Sequence, residues 1–291
     1  MNNIEIRNLT KRYKNGVMAL DNISFNVGCG VFGLLGHNGA GKTTLMKALV
    51  TVLEASGGSI HVCGYDTKTQ GEQVRKRIGY LPQELTMYPS LSVYDFVNYM
   101  AELKGVRDKD AVHNVLEQVE MSEFSKRKIG QLSGGMKRRV GIAQALIGEP
   151  EVLVVDEPTA GLDPEERVRF RSVLSRYAKD GKTVLLSTHI VEDVYQICEE
   201  IAVIRKGHLF YAGTSAALLN RVVGKVKVIH LEREEQLMEL QKQAAVLSVT
   251  YESHGLTAKI MDENMAFPRA TVVTATLEDA YVYCMGGKSN A

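Results

Sequence analysis

The sequence lacks long apolar runs, an excess of either charge and a hydrophobic leader. No apolar run approaches the roughly 18 to 20 residues that cross a bilayer, so we expect no membrane-spanning helix. The formal net charge of the 291-residue chain is +1, which gives no electrostatic drive toward nucleic acid, and we expect no such partner. The polar start MNNIEIRNLTKRYKNG has no apolar segment typical of a signal peptide.

Cysteine is scarce and widely spaced. The chain has 4 cysteines, at Cys29, Cys63, Cys198 and Cys284. They form no CxxC pair and no zinc-binding spacing, which excludes the common cysteine-based metal motifs. We therefore expect buried, reduced thiols in a cytosolic protein.

Two kinds of hydrophobic pattern organise the chain. The first ~30 residues alternate apolar and polar side chains around the turn KNG, which predicts antiparallel strands. Later, short apolar strands such as VFGLL (31–35) and VLVV (152–155) alternate with helical segments, one of them at 42–53, which indicates a parallel sheet. A helical segment at 92–147 separates the early strands from the late ones. We expect an α/β fold.

The composition changes after about residue 223. The following sequence predicts a strand, a helix and two further strands, which is typical of a small α+β domain. We therefore predict two domains, residues 1–222, with a helical subdomain at about 86–148, and residues 223–291.

The stretch GHNGAGKTT (36–44) lies between a predicted strand and a predicted helix. It fits the pattern G-x-x-x-x-G-K-[ST] with Gly36, Gly41, Lys42 and Thr43. Glycines allow successive backbone amides to point into one anion-sized hollow, and the N-terminus of the helix adds a positive end. Lys42 can neutralise phosphate oxygens, and Thr43 can bind Mg²⁺. The loop therefore predicts a nucleoside triphosphate site.

Two carboxylates, Asp156 and Glu157, follow the apolar strand VLVV. Burying adjacent carboxylates is costly unless a metal or substrate uses them. In a parallel sheet the carboxyl ends of the strands face the ligand crevice, where the phosphate loop also lies. Asp156 is then suited to Mg²⁺, through water, and Glu157 to activating an attacking water.

The segment QLSGGMKRRVGIAQALIGEP indicates a helix with an unusual first turn. Ser133 is a good N-cap, and an apolar stripe follows along the helix, made of Met136, Val140, Ala143 and Ile147. Gly134 and Gly135 are poor helix formers, and they make sense if the backbone there approaches an anion closely. Because the first loop already holds a triphosphate, we expect the nucleotide of a second chain to occupy this site.

Together these motifs resemble, in order and over about residues 1–220, those of the ATP-binding subunits of ABC transporters. LSGGM (132–136) resembles the family signature, with Met136 where glutamine is commoner. The other matches are Walker A (36–43), the Q-loop Gln83, the Walker B Asp156, the catalytic Glu157, the D-loop Asp163, the switch His189 and the adenine-stacking Tyr13.

The resemblance implies a P-loop NTPase fold, with a RecA-like parallel sheet, an antiparallel β subdomain and a helical insert. It implies ATP hydrolysis with Lys42, Glu157 and His189 as catalytic residues, and Mg²⁺ held by Thr43, Gln83 and Asp156. The implied ATP-binding residues are Tyr13, Gly36, His37, Asn38, Gly39, Ala40, Gly41, Lys42, Thr43, Thr44, Gln83, Asp156, Glu157 and His189.

The resemblance also implies partners. Two subunits, identical or different, would form a head-to-tail dimer around two ATP molecules. Integral-membrane permease subunits would supply the transport path, and this chain would lie on the cytoplasmic face of the cell membrane. The residues offered to the nucleotide of the other subunit would be Leu132, Ser133, Gly134, Gly135, Met136 and Asp163.

The direction of transport rests on weaker signals. The C-terminal TLEDAYVYCM and the stretch AGLDP resemble ATPases of the ABC-2 exporter type. Two alternatives stay open: the ATPase subunit of an importer, and a soluble ABC ATPase without a membrane partner. The sequence has neither the tandem cassettes nor the long coiled coils usual in the soluble classes.

Some of these side chains have simpler structural interpretations. Tyr13 could be an ordinary strand tyrosine, and His189 a satisfied histidine at a strand end. Gln83 could cap the strand end beside Pro82. We expect the basic clusters to be solvated surfaces, namely SKRK (125–128), KRR (137–139) and RKR (75–77).

Overall fold

The computed structural model describes residues 3–179 and 181–286. The chain divides into two compact units, Met1–Ala212 and Gly213–Ala291. The sequence placed this boundary between residues 222 and 223. The observed boundary is earlier because a short helix, Ser215–Asn220, packs against the C-terminal helix Leu277–Gly286.

The first unit holds the elements that the sequence predicted, together with additional short ones. Its strands are β1 (Ile4–Arg12), β2 (Met18–Val27), β3 (Gly30–Leu35), β4 (Gly57–Val62), β5 (Tyr65–Asp66), β6 (Ile78–Leu81), β7 (Val152–Asp156), β8 (Thr183–Thr188), β9 (Glu200–Arg205) and β10 (His208–Thr214), the last of which continues two residues past the boundary. Its helices are α1 (Lys42–Leu49), α2 (Gly71–Arg77), α3 (Val93–Leu103), α4 (Ala111–Gln118), α5 (Gly134–Leu146), α6 (Pro164–Ala178) and α7 (Val191–Ile197).

A central sheet in the order β10-β9-β3-β8-β7-β6 carries the site. The pairs β3–β8, β3–β9, β7–β8 and β6–β7 are parallel, and every residue of β7 and β8 is buried. The carboxyl ends of these strands therefore meet at one edge, where Asp156 lies opposite Ser187. This confirms the predicted α/β fold.

A second, antiparallel sheet in the order β2-β1-β4-β5 adjoins a shared core. Its inward side chains, such as Ile4 and Leu20, belong to one apolar cluster with Leu45 and Leu49 of α1. The alternating sequence of β1 and β2 produces this arrangement, because successive strand residues point to opposite faces. Both sheets therefore pack against α1, the helix that follows the phosphate loop.

The segment 92–147 is helical, and two other elements end earlier than the sequence predicts. The segment contains α3, α4 and α5, and the connection between α4 and α5 includes short 3₁₀ turns at Ser122–Phe124 and Ile129–Gln131. Helix α1 ends at Leu49, short of the predicted residue 53, because Thr51 adopts a left-handed φ of 64°. The stretch GSIHVCGY (58–65) favours one strand by its sequence, but Cys63, with a left-handed φ of 48°, ends β4 in a turn.

The cysteine expectation was partly wrong. No disulfide forms among the cysteines, all of which the structure describes. Only Cys198 is buried, whereas Cys63 and Cys284 are half-buried and Cys29 is exposed. Cys29 is exposed because it lies in the turn after β2, outside the apolar core.

The second unit has an antiparallel sheet in the order β12-β13-β11-β14. Its elements are α8 (Ser215–Asn220), β11 (Val226–Leu231), α9 (Glu234–Gln243), β12 (Ala245–Glu252), β13 (Gly255–Met261), β14 (Thr271–Val272) and α10 (Leu277–Gly286). Leu237 and Leu240 of α9 pack on Ala258 and Ile260 of β13. The predicted α+β composition is therefore present.

Within residues 3–179 and 181–286, no helix combines the length and the hydropathy that a membrane-spanning segment requires.

Helix α6 offers a test of the core beneath the site. Phe170 is 2 % exposed, and α6 packs against β3 and β8, whereas Val168 of the same helix is 53 % exposed. We expect Phe170→Ala to lower the free energy of unfolding by about 3 to 5 kcal/mol, because it removes a buried ring and leaves a cavity. Val168→Ala should change it by less than about 0.5 kcal/mol. Urea denaturation followed by circular dichroism measures both, and equal effects would contradict the packing described.

Candidate nucleotide-binding and catalytic site

The phosphate loop joins β3 to α1 in the predicted strand, loop and helix order. Gly39 and Gly41 adopt left-handed φ values of 78° and 111°. A Cβ atom on Gly36 would lie 2.5 Å from the carbonyl oxygen of Ile204, and one on Gly41 would lie 2.6 Å from that of Ala19. The loop therefore needs glycine at these positions, because the backbones of β9 and β2 approach it closely.

Lys42 is buried at the start of α1, with 4 % of its surface exposed. Its ammonium group donates to the carbonyl oxygens of Gly36, at 2.7 Å, and of His37, at 3.2 Å. It also lies 2.9 Å from Oε1 of Glu157. An ammonium group has three donors, and these three acceptors match them. The loop and the end of β7 are thus joined through one cation.

Glu157 connects two of the predicted catalytic residues. Its Oε1 contacts Lys42, and its Oε2 lies 3.0 Å from Nδ1 of His189. Its backbone has a left-handed φ of 45°, which is unusual for a residue other than glycine. Its N–H donates to Ser187, to both the carbonyl and the hydroxyl oxygen at 3.1 Å. The ends of β7 and β8 therefore fix its carboxylate beside the phosphate loop.

Asp156 has one occupied and one unsatisfied carboxylate oxygen. The residue is fully buried, and Oδ1 accepts a hydrogen bond from the Ser187 hydroxyl at 2.5 Å. Oδ2 is buried and has no hydrogen-bond partner among the described residues. A buried carboxylate oxygen without a partner is costly, so a cation or its water shell fits here. The Thr43 hydroxyl, an oxygen of the kind that Mg²⁺ binds, lies on the wall of a cleft that Glu157 lines and Asp156 does not.

A cleft of about 540 Å³ opens above these residues, a volume that suits a nucleotide-sized ligand. The predicted residues on its wall are Asn38, Gly39, Gly41, Lys42, Thr43, Thr44, Gln83 and Glu157. Tyr13 is adjacent, since its hydroxyl lies 3.2 Å from that of Thr44. Its ring is 37 % exposed, with Lys11 5.5 Å from the ring centroid.

Four further residues line the cleft and were missed in the sequence. They are Val17, Met18, Ala19 and Lys206. Lys206 follows β9 at the same carboxyl edge as Asp156 and His189, so the rule that located those residues could have located Lys206. Val17 to Ala19 reach the cleft through the tertiary approach of β2, for which the sequence has no local signal.

The signature residues lie outside this cleft. Ser133 caps α5 as predicted, since its hydroxyl accepts from the N–H of Met136 at 3.2 Å. Ser133 and Gly134 are exposed, and no described residue among 132–136 lines the cleft. Asp163, which also does not line it, caps α6 by accepting from the N–H of Glu166 at 2.9 Å.

Gly135 has a packing role that the sequence did not reveal. A Cβ atom there would lie 2.7 Å from Cδ of Glu166. Glu166 also lies 3.4 Å from Arg139, and this contact joins the signature helix to the helix that begins after Asp163. Gly135 therefore packs against the Glu166 side chain, and a larger residue at this position would displace that carboxylate.

The expectation that KRR (137–139) is a solvated surface was wrong for both arginines. Arg139 is buried, and Arg138 is half-buried. Arg138 donates through Nη1 to the carbonyl oxygen of Gln83, at 2.7 Å, and through Nη2 to that of Glu157, at 3.4 Å. Burial lowers the pKa of Arg138, and the negative charge of Asp156 opposes this shift. The physical reason is the packing of α5 against β6 and the other helices of the insert.

Comparison with known proteins bears directly on this site. A family model described as ABC transporter matches residues 20–160. An ABC transporter ATP-binding protein of Synechocystis sp. is 33% identical over 97% of this chain and 84% of that protein. The linearmycin resistance ATP-binding protein of Bacillus subtilis is 33% identical over 95% and 90%. A Nod factor export ATP-binding protein of Burkholderia thailandensis is 38% identical over 76% and 74%.

Solved structures show the same fold. An ATP-binding subunit of an ABC transporter superposes with a TM-score of 0.68 at 25% identity, over 75% of this chain and 92% of that one. A dimeric ATP-binding cassette in a post-hydrolysis state, bound to ADP and Pi, has a TM-score of 0.66 at 25% identity, over 72% and 98%.

The parallel sheet, the phosphate loop and the carboxylates opposite it define a P-loop ATPase. The relatives then specify the family. The chain belongs to the ATP-binding proteins of ABC transporters, and it is an ATP-binding cassette ATPase.

The contacts of Lys42 lead to a direct test of nucleotide binding. We expect Lys42→Ala to weaken ATP binding at least about tenfold, because charge-assisted contacts to phosphate contribute about 1.5 to 3 kcal/mol each. Lys47→Ala is a matched control, since Lys47 is an exposed lysine of the same helix. Equilibrium binding of a labelled ATP analogue measures both variants. Wild-type affinity in Lys42→Ala would contradict the role given to the loop.

Proposed function

We propose that this chain is the ATP-hydrolysing subunit of an ABC exporter, and that it acts as a head-to-tail dimer with integral-membrane permease subunits. The observation that carries the catalytic part is the position of Glu157, held between Lys42 and His189 at the edge of the nucleotide cleft. Two relatives whose names refer to Nod factor export and to linearmycin resistance support the direction of transport.

The phosphates of ATP would bind the backbone amides of residues 38–43 and the ammonium group of Lys42. A phosphate oxygen at Lys42 competes with the Glu157 carboxylate, because both are negative acceptors for the same cation. Glu157 is then free to orient the attacking water. His189 already uses Nδ1 toward Glu157, so Nε2 is the nitrogen suited to contact the γ-phosphate. Tyr13 would stack on adenine.

Thr43, Gln83 and Asp156 are the residues proposed to hold Mg²⁺, with Asp156 acting through water. The unsatisfied Oδ2 of Asp156 and the position of Thr43 and Gln83 on the cleft wall support this assignment. The ion would neutralise charge on the β- and γ-phosphate oxygens.

The exposed signature supports the dimer. Ser133 and Gly134 are exposed at the start of a capped helix, yet they lie outside the cleft of their own chain. A helix N-terminus favours phosphate, so the nucleotide of a partner subunit is the natural ligand. The residues offered to it would be those of 132–136 together with Asp163. On this proposal the chain lies at the cytoplasmic face of the membrane.

A carboxylate-to-amide substitution tests the role of Glu157. We expect Glu157→Gln to bind ATP without hydrolysing it, because the amide keeps the shape of the side chain but cannot act as a base. The variant should accumulate as a dimer with ATP and Mg²⁺ and remain mostly monomeric without them. Size-exclusion chromatography measures the oligomeric state. Glu117→Gln, which changes an exposed glutamate, is the control. A variant that stays monomeric at saturating ATP would contradict the composite site.

Mixing two inactive variants tests whether the signature acts on the partner subunit. We expect Ser133→Arg to keep ATP binding by the monomer and to abolish hydrolysis, because a bulky cation would occupy the place of the γ-phosphate. Mixed with Lys42→Ala chains, it should regain partial activity, since one of the two sites then combines an intact phosphate loop with an intact signature.

The control for this experiment is Ser92→Arg, which removes a similar helix cap, at α3, where the Ser92 hydroxyl accepts from the N–H of Asp95 at 3.0 Å. Circular dichroism verifies the fold of each variant. If a folded Ser133→Arg monomer cannot bind ATP, the serine acts within its own chain and the dimer mechanism is wrong.

A further inference from the structure

Arg138 is a basic residue of the signature helix whose side chain contacts the backbone of two residues that line the nucleotide cleft, Gln83 and Glu157. Its Nη1 lies 2.7 Å from the carbonyl oxygen of Gln83 and 3.4 Å from that of Pro82. Its Nη2 lies 3.4 Å from the carbonyl oxygen of Glu157. One guanidinium group thus reaches two segments that contribute to the cleft.

The contact with Arg138 also holds the backbone of the segment 82–87. This segment follows the end of β6 and has no helix or strand of its own. Among the described residues, Arg138 is the only side chain that donates a hydrogen bond to it. Gln83 lines the cleft, so the position of its side chain depends on a backbone that Arg138 holds.

Both backbone polar groups of Glu157, the N–H and the carbonyl oxygen, are hydrogen-bonded. Its N–H donates to Ser187, and its carbonyl oxygen accepts from Arg138. The left-handed φ of 45° is costly for a glutamate and persists only where the surroundings enforce it. Arg138 is one of the groups that enforce it, and the conformation in turn directs the carboxylate toward Lys42 and His189.

The same helix presents the signature. Ser133 caps α5, and Arg138 lies five positions further along it. A helix is a rigid connection over that distance, so the position of the exposed signature and the position of Gln83 and Glu157 are mechanically linked.

We propose that Arg138 is a positioning residue for ATP hydrolysis, which fixes the backbone of Gln83 and Glu157 relative to the signature helix. This inference rests on the proposed function, since it assumes that Glu157 orients the water and that the signature serves a partner subunit. Arginine suits the role because its planar fork can donate to two carbonyl oxygens at once, and lysine cannot reproduce that geometry.

The test compares Arg138→Met, Arg138→Lys and the matched control Lys137→Met in the full chain. Lys137 is the adjacent basic residue of α5, and within the described part of the chain its side chain makes no hydrogen bond or ion pair. Steady-state ATPase kinetics, equilibrium binding of a non-hydrolysable ATP analogue and amide hydrogen exchange are measured on each.

We expect Arg138→Met to lower kcat by about tenfold or more while KM and the analogue Kd change by less than about twofold, because the lost bonds position Glu157 and do not contact the nucleotide. Amide exchange should accelerate in peptides covering 82–87 and 157–160, and not in peptides of α1. Arg138→Lys should recover part of kcat, since it keeps the charge and can donate to one of the two segments. Lys137→Met should behave as wild type.

Two results would overturn the proposal. One is an Arg138→Met variant with the kcat and local exchange of Lys137→Met. The other is a general loss of nucleotide affinity with accelerated exchange throughout the first unit, which would make Arg138 a residue of fold stability alone. A wild-type chain that hydrolyses no ATP would contradict the proposed function instead, and the exchange measurement would still decide whether Arg138 holds the two segments.

Discussion

The contact between the Lys42 ammonium group and the Glu157 carboxylate is the interaction on which the site depends. Both side chains are almost fully buried, and burying either charge alone would be strongly unfavourable. The two carbonyl oxygens of the phosphate loop complete the shell of the cation, and His189 contacts the other oxygen of the carboxylate. The loop after β3 and the ends of β7 and β8 are therefore held together by charge, as well as by the sheet.

The sheet explains why so much of this site was predictable from sequence. In parallel strands the carboxyl ends meet at one edge, so Asp156, His189 and the phosphate loop had to converge once their strands were recognised. The glycines of the loop and the N-cap Ser133 carry local signals of the same kind, because each is required by a backbone conformation or a helix end. Family resemblance added assignments for Gln83 and Asp163, and these remain predictions.

What the sequence did not reveal depends on contacts between distant segments. Val17 reaches the cleft only because β2 approaches the phosphate loop, and Gly135 packs against the side chain of Glu166, which lies on another helix. The cluster KRR (137–139) reads as a solvated surface by composition, but carbonyl and carboxylate acceptors from distant segments hold Arg138 and Arg139 in the interior. Hydropathy cannot anticipate such burial, because most of the acceptors are backbone carbonyl oxygens with no sequence signature.

Helix α5 connects the two halves of the proposed mechanism. Its exposed N-terminus carries the residues proposed to meet a partner's nucleotide. Arg139 joins it to Glu166, one turn after Asp163, and Arg138 joins it to the backbone of Gln83 and Glu157. Because the two arginines bind different segments, a displacement of the signature helix would strain its contacts with each of them. The segments that line the chain's own nucleotide cleft and the helix that carries the exposed signature are thus parts of a single packed unit.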